Sequence, residues 1–405
     1  MSQTTSQQPS IDSAQLYQMI LDGSDFTLID VRNRDAFAAW HIEGRNPIRT
    51  INVPYFEIME EGGADNLADA TAAYAAAHWQ DELPKDKPVV VVCAKEQTAS
   101  FVAEGLQRLG YNAFSLVGGM AEWGDYYAIR PVVEDERLSV WQINRPARGC
   151  LSYIAASDGE AVIIDPLRHT DVYTQFIRER NLKVTGVFDT HGHADHISGG
   201  PKLAEEFNVP YYLHPYDGIH PLDVLPANLQ YEPLRDGMTF RVGQVDLKAI
   251  HVPGHTLGNI VFLLDGKYLF SGDSIFVNSV ARPDLGGQGE KWAPIHFRSL
   301  QKLLQLDPDT WVLPGHFSRL DEVDETGTVR AQLGSLLQSN EDLQRLSDGE
   351  SAFVDYMLSH LPKFPPQYVD IKRVNAGLLV PTEDESSELE LGRNICALSN
   401  AYQPS

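Results

Sequence analysis

The sequence is poor in cysteine and in positive charge. Its 405 residues include three cysteines, Cys93, Cys150 and Cys396, which lie far apart. An odd number of distant cysteines predicts no disulfide framework and fits a reducing compartment.

Lys and Arg number 32 against 56 Asp and Glu, so the formal net charge is −24. Because binding to phosphates and anionic lipids depends on clustered Lys and Arg, we expect neither nucleic acid nor a membrane surface as a partner.

Long apolar runs are also missing. No uninterrupted apolar segment approaches the length needed to cross a bilayer. The first ten residues, 1–10, are polar and lack the basic start and apolar core of a secretory signal. The sequence therefore predicts a cytoplasmic protein without a membrane span.

The length and the pattern of short apolar runs predict two domains in an α/β chain. A chain of this length exceeds what one hydrophobic core usually serves. Within residues 11–127, apolar runs such as 27–30 and 89–92 alternate with helical patterns, which predicts a small parallel sheet. The charged, proline-containing segment 128–137 has the composition of a linker.

The region after this segment is richer in predicted strands. Residues 138–320 contain many short strands with helices between them, and we assign them to a second, larger domain. Residues 321–405 mix amphipathic helices with a proline-rich turn. We expect them to form a helical extension that packs on the second domain.

Side chains that can bind metals recur directly after the predicted strands of the second domain. Four fall within the run Thr190 to His196, and three more follow later strands, in the segments Pro-Gly-His-Thr, Ser-Gly-Asp-Ser and Pro-Gly-His. The seven are His191, His193, Asp195, His196, His255, Asp273 and His316. An isolated histidine is more often an ordinary surface or core residue. An ordered set at strand ends can converge at one sheet edge, where imidazole and carboxylate together suit zinc, iron or manganese.

The order His-x-His-x-Asp-His, Pro-Gly-His-Thr, Gly-Asp and Gly-His resembles the metallo-β-lactamase superfamily, from about residue 138 to 316. The resemblance implies an αββα sandwich with room for two metals. The implied ligands are His191, His193 and His255 at one metal, Asp195, His196 and His316 at the other, and Asp273 between them. It also implies that Asp165 supports the site from beneath. Dizinc members such as glyoxalase II hydrolyse thioesters with a metal-bound hydroxide, so a hydrolase remains an alternative.

The segment 276–285, which contains Ala-Arg-Pro-Asp, resembles the persulfide dioxygenase branch of that superfamily. In that branch one Fe(II) is held by residues that match His191, His255 and Asp273. Two histidines and one carboxylate leave three adjacent coordination positions, which persulfide sulfur and O2 both need. The other four motif residues would then orient these ligands and hydrogen-bond to bound water or oxygen.

Two further residues of this segment are candidate catalytic residues. Arg282 matches an arginine that the branch keeps near the metal, and we expect Asp284 to hold it. Arg282 is also the candidate source of positive charge for a small anionic thiol. Cys150 and Cys396 are assigned to the core as small buried residues.

The N-terminal domain resembles the rhodanese family. The similarity lies in Leu-Ile-Asp-Val-Arg at 28–32, Trp-His-Ile-Glu-Gly at 40–44 and Leu-Val-Gly-Gly-Met at 116–120. Cys93 follows a buried strand and precedes a helix, as the sulfur-carrying cysteine of that family does. Loop amides and the positive end of the helix would stabilise a thiolate or persulfide there. An inert buried cysteine is the alternative.

The loop after Cys93 departs from the common rhodanese pattern. Glu96 stands where glycine is usual, and Thr98 stands where an arginine often closes the loop. Since thiosulfate carries two negative charges, these changes should weaken its binding. Whether this domain uses thiosulfate therefore stays open.

Together the two resemblances imply an iron-dependent persulfide dioxygenase with a sulfur-carrying rhodanese domain. Its partners would be a thiol persulfide such as glutathione persulfide, O2, and sulfite or thiosulfate. The main alternative is a dizinc thioester hydrolase of the glyoxalase II type. A lactone or phosphodiester hydrolase, or a rhodanese domain that only docks, would leave part of the chain unexplained. The sequence leaves a homo-oligomer open.

Overall fold

The computed structural model describes residues 9–402, so nearly all of the polar N-terminal tail lies outside the described residues. The chain divides into two compact units after Tyr126. Among the described residues, every helix is too short or too polar to span a bilayer.

The first unit is built on a five-stranded parallel sheet in the order β1-β5-β4-β2-β3. Its strands are β1 (Ser10–Ile11), β2 (Thr27–Asp30), β3 (Arg49–Asn52), β4 (Pro88–Val92) and β5 (Asn112–Leu116). Its helices are α1 (Ser13–Leu21), α2 (Arg34–Ala39), α3 (Tyr55–Gly62), α4 (Leu67–His78), α5 (Gln97–Arg108) and α6 (Gly119–Asp125). The central strand β4 carries four consecutive valines that are at most 1% exposed. Such a continuous apolar run is typical of a parallel strand covered on both faces.

The second unit contains two mixed sheets. The first has the order β12-β11-β10-β9-β8-β7-β6, and the second has the order β13-β14-β15-β16-β17-β18. The strands of the first are β6 (Ala128–Glu134), β7 (Ser139–Arg145), β8 (Cys150–Ser157), β9 (Glu160–Ile164), β10 (Lys183–Phe188), β11 (Tyr211–Leu213) and β12 (Glu232–Pro233). The strands of the second are β13 (Thr239–Val242), β14 (Val245–His251), β15 (Ile260–Leu264), β16 (Tyr268–Gly272), β17 (Trp311–Pro314) and β18 (Ala331–Gln332).

Among the described residues, the second unit contains eight α-helices. They are α7 (Asp171–Glu179), α8 (Gly200–Phe207), α9 (Gly289–Leu303), α10 (Leu333–Ser339), α11 (Glu341–Gln344), α12 (Glu350–Ser359), α13 (Gln367–Asn375) and α14 (Glu383–Leu389). Apolar side chains of α7 and α8 pack on the first sheet, and those of α9, α10 and α12 pack on the second. Between the sheets, Phe188 meets Phe262 with ring centroids 5.4 Å apart. The predicted α/β class, with a parallel sheet followed by an αββα sandwich, is confirmed.

The segment 128–137 is not the linker that its composition suggested. Residues 128–134 form β6, which pairs with β7 in antiparallel register. The misassignment arose because β6 is an edge strand. Such a strand can accept charged residues and even Pro131, since one side of its backbone needs no partner.

Candidate metal centre and cysteine site

The metal-competent side chains lie on loops that leave the ends of neighbouring strands. The His-x-His-x-Asp-His motif follows β10, His255 follows β14, Asp273 follows β16 and His316 follows β17. Glycine precedes four of these residues, and at two of them, Asp273 and His316, the glycine allows neighbouring ligand loops to approach closely. A Cβ on Gly272 would lie 2.5 Å from Thr190 Oγ1, and one on Gly315 would lie 2.7 Å from Asp273 Oδ1. Any larger residue would push the two ligand loops apart.

Three of these residues, His191, His255 and Asp273, form a compact group whose ligand atoms lie within 4.8 Å of one another. Asp273 Oδ2 lies 3.4 Å from His255 Nε2 and 3.9 Å from His191 Nε2. All three atoms are buried and have no hydrogen-bond partner among the described residues. Donors about 2.1 Å from one metal stand about 3.0–3.4 Å apart, so small movements would close this group around an ion. Since unpartnered buried polar atoms are costly, the group fits a metal.

The other nitrogen of each histidine in this group is oriented by a hydrogen bond. His191 Nδ1 lies 2.9 Å from Thr190 Oγ1, whose hydroxyl donates to Asp165 Oδ2 at 2.9 Å. His255 Nδ1 donates to the backbone carbonyl of Arg282 at 2.8 Å. These bonds fix the tautomer that directs Nε2 towards the metal position. Burial also lowers the pKa of both His191 and His255, which keeps each imidazole neutral and able to bind a metal.

His193, which the family pattern includes among the metal ligands, has its ligand atom grouped with Asp165 and Asp189 and not with these three donors. Its Nε2 is 3.2 Å from Asp165 Oδ1 and 3.7 Å from Asp189 Oδ1. Burial opposes protonation, yet the Asp165 and Asp189 carboxylates together raise the pKa of His193 to about 10. Neither ring nitrogen of His193 has a hydrogen-bond partner among the described residues, and its ring centroid lies 4.2 Å from that of His191.

A second group of possible ligands consists of Cys150, Asp195, His196 and His316. His316 joins it to the first group, because its Nδ1 donates to Asp273 Oδ1 at 2.6 Å while its Nε2 lies 2.6 Å from Asp195 Oδ2. Burial opposes the charge, but these two carboxylates raise the pKa of His316 well above its usual value. Asp273 therefore presents one oxygen to the first group and the other to His316 Nδ1.

Arg282 is fully buried and is not part of the lining of the cavity beside the metal-competent loops. Its guanidinium forms a bidentate pair with Asp284, at 2.6 and 2.9 Å. It also donates to the carbonyls of Ile395 and Pro362. Asp284 holds Arg282 as the sequence led us to expect, and this pairing balances the charge of the guanidinium. The backbone carbonyl of Arg282 also contributes to the metal centre, because it accepts a hydrogen bond from His255 Nδ1.

A cavity of about 360 Å³ opens beside the metal-competent loops. Its lining includes Gly192, His193 and Thr256, which flank the candidate ligands, and apolar side chains such as Trp292. The Asp217 carboxylate lies in its wall and accepts from Gly192 N, Thr256 Oγ1 and Gly258 N at 2.6–3.0 Å. Asp217 thus ties the His191 loop to the His255 loop.

Residues of the C-terminal extension complete the centre, and no motif marked them in the sequence. Asn375 Nδ2 donates to the carbonyls of His193 and His196, and Lys372 Nζ donates to Gly192 O at 2.6 Å. Cys396 is buried, and its sulfur lies within 4.8 Å of ligand atoms of Asp273 and His316. The sequence placed Cys396 in the core, and the structure adds that this part of the core borders the candidate ligands.

Glu390 anchors the His-x-His-x-Asp-His loop from behind. Its buried carboxylate accepts from Ile197 N at 2.7 Å and pairs with Arg145 at 2.6 Å and Arg168 at 3.1 Å. Glu390→Gln should cost about 3–5 kcal/mol of unfolding free energy in urea, because two buried guanidinium groups lose their counter-charge. The matched control is Glu383→Gln, which removes an exposed partner of Arg168 and should cost less than about 1 kcal/mol. Equal losses in the two variants would contradict the anchoring role.

The Glu390 carboxylate should make the stability of the protein depend on pH. Burial opposes its ionisation, but Arg145, Arg148 and Arg168 lower the pKa of Glu390 from 4.5 to about 2. A lowered folded-state pKa stabilises the protein fully above pH 4.5, and this contribution is lost as the pH falls from 4.5 towards 2. The difference in unfolding free energy between wild type and Glu390→Gln should therefore shrink over that interval. A difference that stays constant would contradict the assignment.

Asp165→Asn is expected to weaken metal binding about 10- to 100-fold, measured by competition with a chromophoric chelator. The amide cannot accept from both Thr190 N and Thr190 Oγ1, so the chain that orients His191 is broken. Asp165 has a positive φ of 51°, and the exposed Asp158, with a φ of 50°, supplies the matched control Asp158→Asn. Unchanged affinity in Asp165→Asn would exclude this support.

In the first unit, Cys93 lies between β4 and the N-terminus of α5 and is 6% exposed. Its sulfur accepts from Ala99 N at 3.4 Å. Glu96, which replaces the usual glycine, has a φ of 82°, a region that favours glycine. Its carboxylate accepts from Gly118 N at 3.1 Å, and this bond helps to hold the loop in the strained conformation. The helix terminus and the amide at the sulfur suit an anionic sulfur.

Two family models match the chain. The metallo-beta-lactamase superfamily matches residues 145–316, and the rhodanese-like domain matches residues 12–126. An uncharacterized protein of Aquifex aeolicus (strain VF5) is 33% identical over 193 residues, which cover 44% of this chain and 89% of that protein. The hydroxyacylglutathione hydrolase of Francisella tularensis subsp. tularensis (strain WY96-3418) is 29% identical over 192 residues, which cover 46% of this chain and 70% of the hydrolase.

Two solved structures are similar as well. A metallo-beta-lactamase from Staphylococcus aureus subsp. aureus COL has 28% identity and a TM-score of 0.54, covering 61% of this chain and 74% of that one. ETHE1 from Myxococcus xanthus has 26% identity and a TM-score of 0.48, covering 62% of this chain and 100% of that one. The family matches include Cys93 and all seven histidine and aspartate side chains of the metal motif.

Proposed function

Because the chain belongs to the metallo-β-lactamase superfamily and carries an N-terminal rhodanese-like domain, we propose that it is an iron-dependent persulfide dioxygenase. Its substrate would be glutathione persulfide or a similar small thiol persulfide. Membership of both families indicates an enzyme that acts on small molecules with a metal centre. The iron, the persulfide and the oxygen chemistry are the proposed part.

The division of the Asp273 carboxylate is the observation that carries the proposal. Oδ2 joins His191 and His255, whereas Oδ1 accepts a hydrogen bond from His316 Nδ1 at 2.6 Å. A carboxylate that is hydrogen-bonded in this way has one oxygen left for one metal. Two histidines and one carboxylate are the ligand set of non-haem iron(II) oxygenases. The Ala-Arg-Pro-Asp segment, whose Arg282 carbonyl orients His255, supports the same branch.

The proposed reaction converts glutathione persulfide, O2 and water to glutathione, sulfite and two protons. The terminal sulfur is oxidised by four electrons and O2 is reduced, so no further oxidant is needed. Bound iron(II) would supply the redox chemistry that allows O2 to react with the persulfide. His191, His255 and Asp273 would hold the iron, Asp165 and Arg282 would keep the two imidazoles in place, and the cavity would admit the thiol.

The rhodanese-like domain would carry the same terminal sulfur on Cys93. A thiol persulfide transfers this sulfur to the Cys93 thiol and leaves as the free thiol. Sulfite then takes the sulfur from the Cys93 persulfide to give thiosulfate, which restores the thiol. The net reaction joins a persulfide and sulfite into a thiol and thiosulfate, so both substrates belong to the pool on which the dioxygenase acts.

A dizinc thioester hydrolase is the second candidate. The group of Cys150, Asp195, His196 and His316 favours it, because those donors lie close enough to bind a second metal. The similarity to a hydroxyacylglutathione hydrolase points the same way. Elemental analysis of protein purified without added metal separates the two candidates: about one iron per chain supports the dioxygenase, and two zinc ions per chain support the hydrolase.

A cytoplasmic location is also part of the proposal. All three cysteines are free thiols in the structure, and none is placed in a disulfide. This state fits a reducing compartment in which low-molecular-weight thiols are abundant.

A further inference from the structure

Lys372 is a buried cation in the wall of the cavity. It belongs to α13 and is 6% exposed. Its ammonium donates one hydrogen bond, to Gly192 O at 2.6 Å. Within residues 9–402, no other acceptor and no carboxylate at ion-pair distance satisfies its remaining two donors. Asp217, in the same cavity wall, already accepts from three other donors.

Burial lowers the pKa of Lys372, and the Asp217 carboxylate, which opposes this shift, forms no ion pair with it. A ligand carboxylate in contact with the ammonium would stabilise its charge. Gly192, which accepts from Lys372, stands between His191 and His193, so the ammonium lies beside the candidate metal loop. The cavity of about 360 Å³ includes Lys372 in its lining. A ligand that fills the cavity would therefore meet the cation.

We propose that the Lys372 ammonium binds a carboxylate of the substrate thiol and selects anionic thiols such as glutathione. This rests on the proposed function and names the residue that determines its substrate class. The apolar part of the wall, including Tyr216, Ile219 and Trp292, would contact the rest of the thiol. Arg282 cannot take this role because its guanidinium is already bound to Asp284.

Calorimetric titration of the metal-containing protein with glutathione and with glutathione diethyl ester tests the proposal. The ester has the same thiol and backbone but no carboxylates. The wild type is expected to bind glutathione about 10- to 100-fold more tightly than the ester. Lys372→Gln, whose amide can still donate to Gly192 O, should remove this preference. In the oxygen-uptake assay, the same variant should raise the KM for glutathione persulfide by a larger factor than it lowers kcat.

Arg373→Met is the matched control. Arg373 is the neighbouring cation on α13 and pairs with Asp223 and Asp370, outside the cavity. The Arg373→Met variant should still bind glutathione more tightly than the diethyl ester. If Lys372→Gln keeps the preference, or if the wild type binds both ligands equally, the inference is wrong while oxygen uptake still decides the proposed function. If the wild type binds neither ligand, both the inference and glutathione as the thiol are overturned.

Discussion

Asp273→Ala is expected to abolish oxygen uptake with glutathione persulfide. The loss should exceed about a hundredfold, the upper range for residues that only orient ligands. Asp273 supplies the one carboxylate oxygen of the His191 and His255 group, and its other oxygen holds His316. The variant should also lose metal on dialysis, because two imidazoles alone remain. Oxygen uptake in an electrode cell and metal content of the same preparation measure both effects.

Asp246→Ala is the control for this substitution. Asp246 lies on β14 of the same sheet, and its side chain is 59% exposed. It should keep the wild-type rate and metal content. If Asp273→Ala retained oxygen uptake within a few-fold of the wild type, the assigned metal group would be wrong.

Cys93→Ser is expected to abolish transfer of sulfane sulfur to sulfite and to leave oxygen uptake unchanged. A serine hydroxyl cannot carry a persulfide, and Cys93 lies in a unit separate from the metal-competent groups. Thiosulfate formed from glutathione persulfide and sulfite under anaerobic conditions measures the transfer. Oxygen uptake measured on the same variant is the internal control.

Alkylation tests Cys93 by an independent route. Cys93 is 6% exposed, whereas Cys150 and Cys396 are fully buried. Iodoacetamide should therefore modify Cys93 first, and transfer should be lost in step with that modification. Loss of both transfer and oxygen uptake in Cys93→Ser would contradict the two-site scheme.

The sequence predicted the fold class and the metal motif because both depend on local signals. His191 to His196 and the later Gly-His and Gly-Asp pairs follow strands that apolar runs reveal, and glycines mark the close approaches. The role of each residue in this motif was harder to predict from the sequence. His193, for example, lies within ion-pair distance of Asp165 and Asp189. The local motif does not reveal these neighbours, because the positions of the two carboxylates depend on how the strands pack.

The C-terminal contributions could not be read from local patterns. Lys372 lies 180 residues after Gly192, and Glu390 lies 193 residues after Ile197. Only the packing of α13 and the segment after α14 brings these pairs together. In the sequence Lys372 stands in a polar helical segment, where a charged residue is ordinarily solvated. The prediction of a linker over residues 128–137 was wrong because residues 128–134 form an edge strand. Such a strand, with its proline and charged residues, has the composition of a linker.

Oxygen uptake by the iron-containing protein on addition of freshly prepared glutathione persulfide tests the central claim most directly. With the Cys93→Ser protein, which cannot convert sulfite to thiosulfate, the account predicts rapid uptake of one O2 per persulfide, with equimolar sulfite and glutathione. No uptake by protein that contains iron, together with hydrolysis of a glutathione thioester by its zinc form, would contradict it in favour of the hydrolase.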